Sequence, residues 1–154
     1  RGGAARAVSR DASAAAIALA ERTLAGAGLA ARHQGVVDDC FAYLRALPEG
    51  EFDLIVLDPP AFTKSARTVD RAARGYKDIN LKALRKLPPG GLLFTFSCSQ
   101  HISRMLFRQI VFAAAADARR PVRLLHQTGH PPDHPVDIYH PEGEYLKGLV
   151  LVAD

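Results

Sequence analysis

Tryptophan is absent from this 154-residue sequence, methionine occurs once and cysteine only twice. Two cysteines at positions 40 and 98 can build neither a disulfide framework nor a zinc motif, and a reducing compartment, the cytoplasm, is the expected setting. No apolar run approaches the roughly 20 residues that a membrane span needs, and residues 1–20 lack the pattern of a secretory signal. No membrane partner is therefore expected. Internal repeats and low-complexity tracts are also missing, which argues against a solenoid or a linker-like chain. Neither sign of charge dominates: 20 Lys and Arg against 16 Asp and Glu leave a net charge of +4, which permits nucleic-acid binding without requiring it. The richness in Arg and Ala reads as genome composition rather than function.

What is present is a core. With 48% hydrophobic residues, a chain of this length forms one globular domain. Short apolar runs alternate with helical patterns throughout, so the class is α/β. The pattern predicts a weak strand over 5–9, a helix over 12–27 with Ile17, Ala20, Leu24 and Ala27 on one face, and a strand over 34–37. A short helix over 40–47 follows, with Phe41 and Leu44 inward. The run 53–57 reads as a strand buried on both faces. A long loop carrying Lys64, Arg67, Arg71 and Arg74 leads to a helix over 76–87, which Pro88-Pro89-Gly90-Gly91 stops. A strand over 92–96, a helix marked by Ile102, Leu106 and Ile110, and strands over 122–127 and 145–152 complete the chain. The connection 128–144 contains four prolines and no helical period, so the last two strands are expected to be antiparallel neighbours.

Chemistry gathers at the carboxyl ends of these strands, where ligands of open α/β sheets sit. In "FDLIVLDPPAFTKS" (52–65) the apolar run ends in Asp58, and Pro59 and Pro60 forbid helix and further ladder. Asp58 is thus either a working carboxylate at a strand tip or a turn and capping residue. Asp11, past the first strand, suits the two hydroxyls of a ribose, with helix capping as the alternative. Asp39, past the second, could accept from an adenine amine, with Asp38 or simple capping of the helix at Cys40 as the alternatives. Cys98 follows the fourth strand inside Ser97-Cys98-Ser99. A thiol there, just before a helix expected near His101, gains thiolate character from the helix N-terminus. It could add to carbon 6 of a cytosine and make carbon 5 nucleophilic, with Asp58 bonding the ring nitrogen or exocyclic amine. Cys40 reads instead as a small buried hydrophobe. Lys64, Arg67, Arg71, Arg74 and Lys77 could hold phosphates or form a solvated surface. His126, His130, His134 and His140 fit no zinc spacing, and no metal is expected.

Seven segments in order, "VSRDAS" (8–13), "VVDDCFAYL" (36–44), "FDLIVLDPPAF" (52–62), "RGYKDIN" (74–80), "GGLLFTFSCS" (90–99), "DHPV" (133–136) and "PEGEYLKG" (141–148), resemble the bacterial 23S ribosomal RNA 5-methylcytosine methyltransferases. The resemblance implies a class I methyltransferase, Rossmann-like sheet ending in an antiparallel pair, with S-adenosylmethionine as cofactor and 23S ribosomal RNA as partner. It implies that Asp11 contacts the cofactor's ribose and Asp39 its adenine. Asp58 and Pro59 would line the methyl-transfer site, and Cys98 would be the covalent nucleophile. Pro60, Phe62, Lys64, Arg74, Tyr76 and Lys77 would lie on the substrate side. A homodimer is compatible with this reading.

Departures from the family are specific. Its catalytic domain opens with a central strand and a glycine-rich turn, and it usually carries an amino-terminal RNA-binding PUA domain. Residues 1–154 supply neither, so the chain reads as a truncated catalytic domain, with Gly2-Gly3 as the end of the helix after the missing strand. Arg10 also stands where an apolar residue usually precedes the ribose acid. Three rivals define the alternatives. Amino-group methylation uses an acid-Pro-Pro-aromatic tetrad, but Ala61 displaces Phe62 by one place. Uracil methylation needs a cysteine beyond Cys98, and none follows. A non-catalytic RNA-binding fragment is the third.

Overall fold

Residues 3–154 are described by a computed structural model, in which the chain divides into two units, Arg1–Ala46 and Leu47–Asp154. The first unit contains β1 (Ala7–Asp11), α1 (Ala14–Gly26), β2 (His33–Val37) and α2 (Cys40–Ala46). β1 and β2 pair in parallel, from Ala7↔His33 to Asp11↔Val37. The first strand thus lies two residues later than the sequence pattern places it, because this ladder continues through Asp11. α1 is alanine-rich, and Ser13 caps it by accepting the Ala16 amide at 3.2 Å. It packs closely on β2 at Gly35, where a Cβ would come within 2.7 Å of Ile17 Cγ2. Gly2, read as part of a helix end, lies outside the described residues; Gly3 has φ +87°, the left-handed conformation that glycine supplies at such ends.

The second unit contains β3 (Leu54–Leu57), α3 (Val69–Lys86), β4 (Gly91–Ser97), α4 (Arg104–Ala118), β5 (Val122–Thr128) and β6 (Lys147–Ala153). Its sheet runs β3-β4-β6-β5. β3 and β4 are parallel, whereas β6 is antiparallel to both β4 and β5, so the expected terminal antiparallel pair is present. β6 is buried along nearly its whole length. α3 and α4 pack together, burying Tyr76, Ile79, Ala83 and Leu84 from one and Phe107, Ile110, Val111 and Ala114 from the other.

Among the described residues β1 pairs only with β2 and β3 only with β4, leaving each with an unpaired edge. Two sequence expectations need correction. β3 is not buried on both faces, since Leu54 and Val56 are 44% and 57% exposed while Ile55 and Leu57 are buried. The helix expected from Tyr76 begins at Val69, after a 3-10 turn over Ala66–Thr68. After Val69 its first two turns carry only alanine, glycine and charged residues, which hides the apolar period there. Arg71 and Arg74 consequently ride on a helix rather than a loop.

Gly148 shows how tight the central ladder is. A Cβ at this position would lie 2.6 Å from Phe96 Cδ1 on β4 and closer still to Thr128 Oγ1 on β5. Gly148→Ala should therefore destabilise the second unit by about 1–3 kcal/mol, read as a lower urea midpoint with an unchanged slope. An unaltered midpoint would show that the strands spread without cost.

Candidate active site

The end of β3 and the end of β4 are parallel neighbours, with Leu57 in register with Thr95. The chain beyond each carries the predicted residues. Asp58 is exposed, and its carboxylate makes no hydrogen bond or ion pair with any described residue. It caps no helix, because the next helical element starts at Ala66. Cys98 is half-buried, and its Sγ faces the Pro59 carbonyl at 3.9 Å. The structure therefore brings Asp58-Pro59 and Cys98 to the same edge of the sheet.

The turn after Pro60 is pinned from within. Thr63, buried, donates its hydroxyl to the Ser65 carbonyl at 2.7 Å and lies 2.6 Å from the Thr68 hydroxyl. Phe62 folds back onto α3, with its ring 4.5 Å from that of Tyr76. Gly75 permits this, since a Cβ there would sit 3.1 Å from Phe62 Cδ2. Tyr76 requires a correction: it is 0% exposed, so it cannot touch a substrate. Its hydroxyl lies 2.9 Å from Ser99 Oγ and its ring meets Phe107 edge-on at 5.6 Å. It braces the segment that carries Cys98.

Ser99 is the fixed point of that segment. It is buried, its amide donates to Ser97 Oγ at 3.3 Å, and its carbonyl accepts from the Ile102 amide at 3.0 Å and from Lys147 Nζ at 2.6 Å. Sequence reasoning passes over Lys147; the available signal was a lysine opening the otherwise apolar strand "KGLVLVA". The helix expected near His101 begins only at Arg104, where Ser103 caps it by accepting the Leu106 amide at 3.1 Å.

Of the basic residues, Lys64, Arg67, Arg71 and Arg74 are exposed. Lys77 differs, because its ammonium pairs with Asp117 on α4 at 2.7 Å and is engaged within the protein. Pro60 is exposed at the turn. The histidines form a scaffold: His130 Nε2 accepts the amides of Tyr145 and Leu146 at 3.2 and 3.1 Å, and its ring stacks 5.3 Å from His134.

In the first unit, Asp11 and Asp39 stand at the same carboxyl edge of the β1–β2 pair. Asp11 is the last rung of its strand, and Oδ1 accepts the Ser13 amide at 2.7 Å. Asp39 caps α2, its Oδ1 accepting the amides of Phe41 and Ala42 at 2.7 and 3.0 Å. The Ala42 and Phe41 amides hold the Asp39 carboxyl below the ordinary carboxylate value. The Oδ2 atoms of both residues carry no hydrogen bond among the described residues. Two ionisable acceptors along one strand edge fit the hydroxyl and amine donors of a nucleoside. Asp38 is otherwise committed, pairing with Arg10 at 2.9 Å. Arg10 also lies over the Tyr43 ring at 3.3 Å, so the residue that departs from the family pattern fastens β1 to α2. Cys40 donates to the Arg10 carbonyl at 3.3 Å, and burial, the largest influence on it, pushes its thiol up.

No family model matches the chain. Curated relatives do. A protein of Aeromonas salmonicida named Ribosomal RNA large subunit methyltransferase I is 44% identical over 156 residues, covering 99% of this chain and 39% of that protein. Its namesake from Photobacterium profundum is 43% identical over 152 residues, covering 97% and 38%. The chain thus spans about two fifths of the length of these relatives. Among solved structures, SMU.776, described as a methyltransferase and solved in complex with SAH, superposes with a TM-score of 0.79 at 23% identity, covering 98% of this chain and 40% of that one. TrmN from Thermus thermophilus superposes with a TM-score of 0.61 at 20% identity over 97% of this chain and 36% of that one. The fold is accordingly the Rossmann-like fold of the class I methyltransferases, and the chain's homologues are the ribosomal RNA large subunit methyltransferases I, of which it matches one portion.

Proposed function

We propose that the chain is the methyl-transferring portion of an S-adenosylmethionine-dependent enzyme that modifies carbon 5 of a cytosine in 23S ribosomal RNA. The observation that carries this reading is the approach of Cys98 Sγ to the Pro59 carbonyl at 3.9 Å, beside an exposed and unpartnered Asp58. A thiol and a carboxylate at neighbouring strand tips are what a covalent pyrimidine mechanism needs. The names of the relatives support ribosomal RNA as the substrate class.

Bound S-adenosylmethionine would supply the methyl group as an electrophile. The chain's residues do the rest. Asp11 would hold the ribose hydroxyls and Asp39 the adenine amine. The Cys98 thiolate would donate its electron pair to carbon 6 of the cytosine, forming the sulfur–carbon bond and turning carbon 5 into the nucleophile. Asp58 would hydrogen-bond the ring nitrogen or exocyclic amine and stabilise the adduct. Once carbon 5 has gained the methyl group, its proton would pass to water, and the electron pair of the broken carbon–hydrogen bond would restore the ring double bond and expel the thiolate. Lys64, Arg67, Arg71 and Arg74, all exposed, would meet phosphates, and Pro60 would form the wall of the turn. Phe62 is turned onto Tyr76, which favours this chemistry over amino-group methylation, where an aromatic after the prolines grips the amine.

The reading includes a further strand with a glycine-rich turn that holds the cofactor's methionine part, and the unpaired edges of β1 and β3 support it. Residues 1–154 alone should then bind S-adenosylmethionine weakly or not at all, while a longer protein containing them binds it. Calorimetry that found tight, Asp11-dependent binding by the 154 residues would contradict the need for that further strand.

In that longer protein, Cys98→Ala should abolish methylation and Cys40→Ala should leave the chemistry intact. RNA with 5-fluorocytosine at the target should trap a covalent complex visible by mass spectrometry, because fluorine cannot leave as a proton does. Normal carbon 5 methylation by Cys98→Ala would sink the assignment.

A further inference from the structure

A nearby positive charge activates a thiol as a nucleophile, and the source the sequence suggests, a helix N-terminus, is not in place. α4 begins six residues after Cys98, and Ser103 already occupies its Leu106 amide. A different cation stands at this strand end. Lys147 opens β6 in register with Ser97, the residue before Cys98. It is only 5% exposed, and its ammonium is fixed on the Ser99 carbonyl, the residue after Cys98, at 2.6 Å. No carboxylate lies within ion-pair distance of that ammonium among the described residues.

A buried charge without a counter-charge is costly, so such a lysine is retained only where its charge is used or satisfied otherwise. Its surroundings identify the user. Burial is the largest influence on Lys147 and pushes its ammonium below the ordinary lysine value; Arg104, at the start of α4, pushes the same way. Cys98 is the one group acting in the opposite sense. The Tyr76 hydroxyl is spent on Ser99 Oγ and offers no charge.

We infer that Lys147 is the positioning residue of Cys98: its buried ammonium, in register with Ser97 and anchored on the Ser99 carbonyl, supplies a positive charge beside the sulfur that favours its attack on the ring. No bond to Lys147 forms or breaks; it keeps its proton while the sulfur donates its electron pair to the ring and later recovers it. The inference rests on Cys98 being the nucleophile. Its test needs neither RNA nor cofactor, so a failure here is distinct from a failure of the methylation chemistry.

Iodoacetamide labelling of the 154-residue chain, followed peptide by peptide in a mass spectrometer, reads Cys98 and Cys40 separately. Lys147→Met should slow Cys98 alkylation at neutral pH about tenfold or more and move its rate profile to more alkaline pH, while Lys147→Arg stays within about threefold of the parent. Cys40 should be unaffected in both. A folded Lys147→Met variant whose Cys98 reacts at the parent rate would overturn the inference. Should that variant not fold, Cys98→Ala reads the same coupling from the other side, because linkage is reciprocal. The Lys147 carbon ε resonance should then titrate at lower pH than in the parent, and an unmoved titration would equally overturn it.

Discussion

The ladder between Gly91–Ser97 and Lys147–Ala153 sets where Cys98 and Lys147 lie relative to each other, because β6 enters the sheet between β4 and β5 and runs against both. Seven consecutive rungs fix the register, and a slip of one residue would exchange the two faces. That register puts Lys147 opposite Ser97 and so delivers a long basic side chain from the far end of the sequence to the turn holding Cys98. Gly148 then allows Phe96 and Thr128 to close over the next rung. Tyr76 approaches Ser99 from α3, so one buried serine is tied to two elements distant in the chain. The thiol between Ser97 and Ser99 is thus placed by backbone pairing and buried polar bonds rather than by its own contacts.

Much of this was legible in the sequence for simple reasons. An apolar run stopped by Asp-Pro-Pro announces a strand tip, and a run stopped by Ser-Cys-Ser announces the next. An irregular, proline-rich connection cannot be a helical crossover, which led directly to the antiparallel pair β5–β6. What could not be read depends on tertiary partners. Tyr76 sits in a polar stretch, "RGYKDIN", and only the packing of Phe62 and Phe107 around it shows that it is core. The apolar character of Leu54 and Val56 predicted a covered strand, yet that face is exposed among the described residues. Lys77 reads as a phosphate ligand until Asp117, forty residues on, appears beside it.

The acids of the first unit illustrate how one residue answers two readings. Capping and cofactor binding were alternatives for Asp39, but a carboxylate has two oxygens and several acceptor sites. The helix uses Oδ1 and leaves Oδ2 without a hydrogen bond among the described residues. Capping even helps, because amides that hold the carboxyl below its ordinary value keep it an acceptor across the neutral range. Asp38, by contrast, is engaged with Arg10.

Lys147 carries the argument from stability to chemistry. Burial lowers its value in the folded state below the ordinary lysine value of 10.5, so between those two values the unfolded chain binds more protons. Stability from this group therefore rises with pH through that window and is lowest below it, where the lysine is charged in both states. At neutral pH the fold bears the full cost of the buried ammonium. A methionine could fill much the same space without that cost, so packing gives no reason for a lysine here. The reason lies in what faces it: the Ser99 carbonyl accounts for one of its three donated hydrogens, and the Cys98 sulfur is the group whose negative form its charge favours. A residue that weakens the fold at the pH where the site would work is explained by the site.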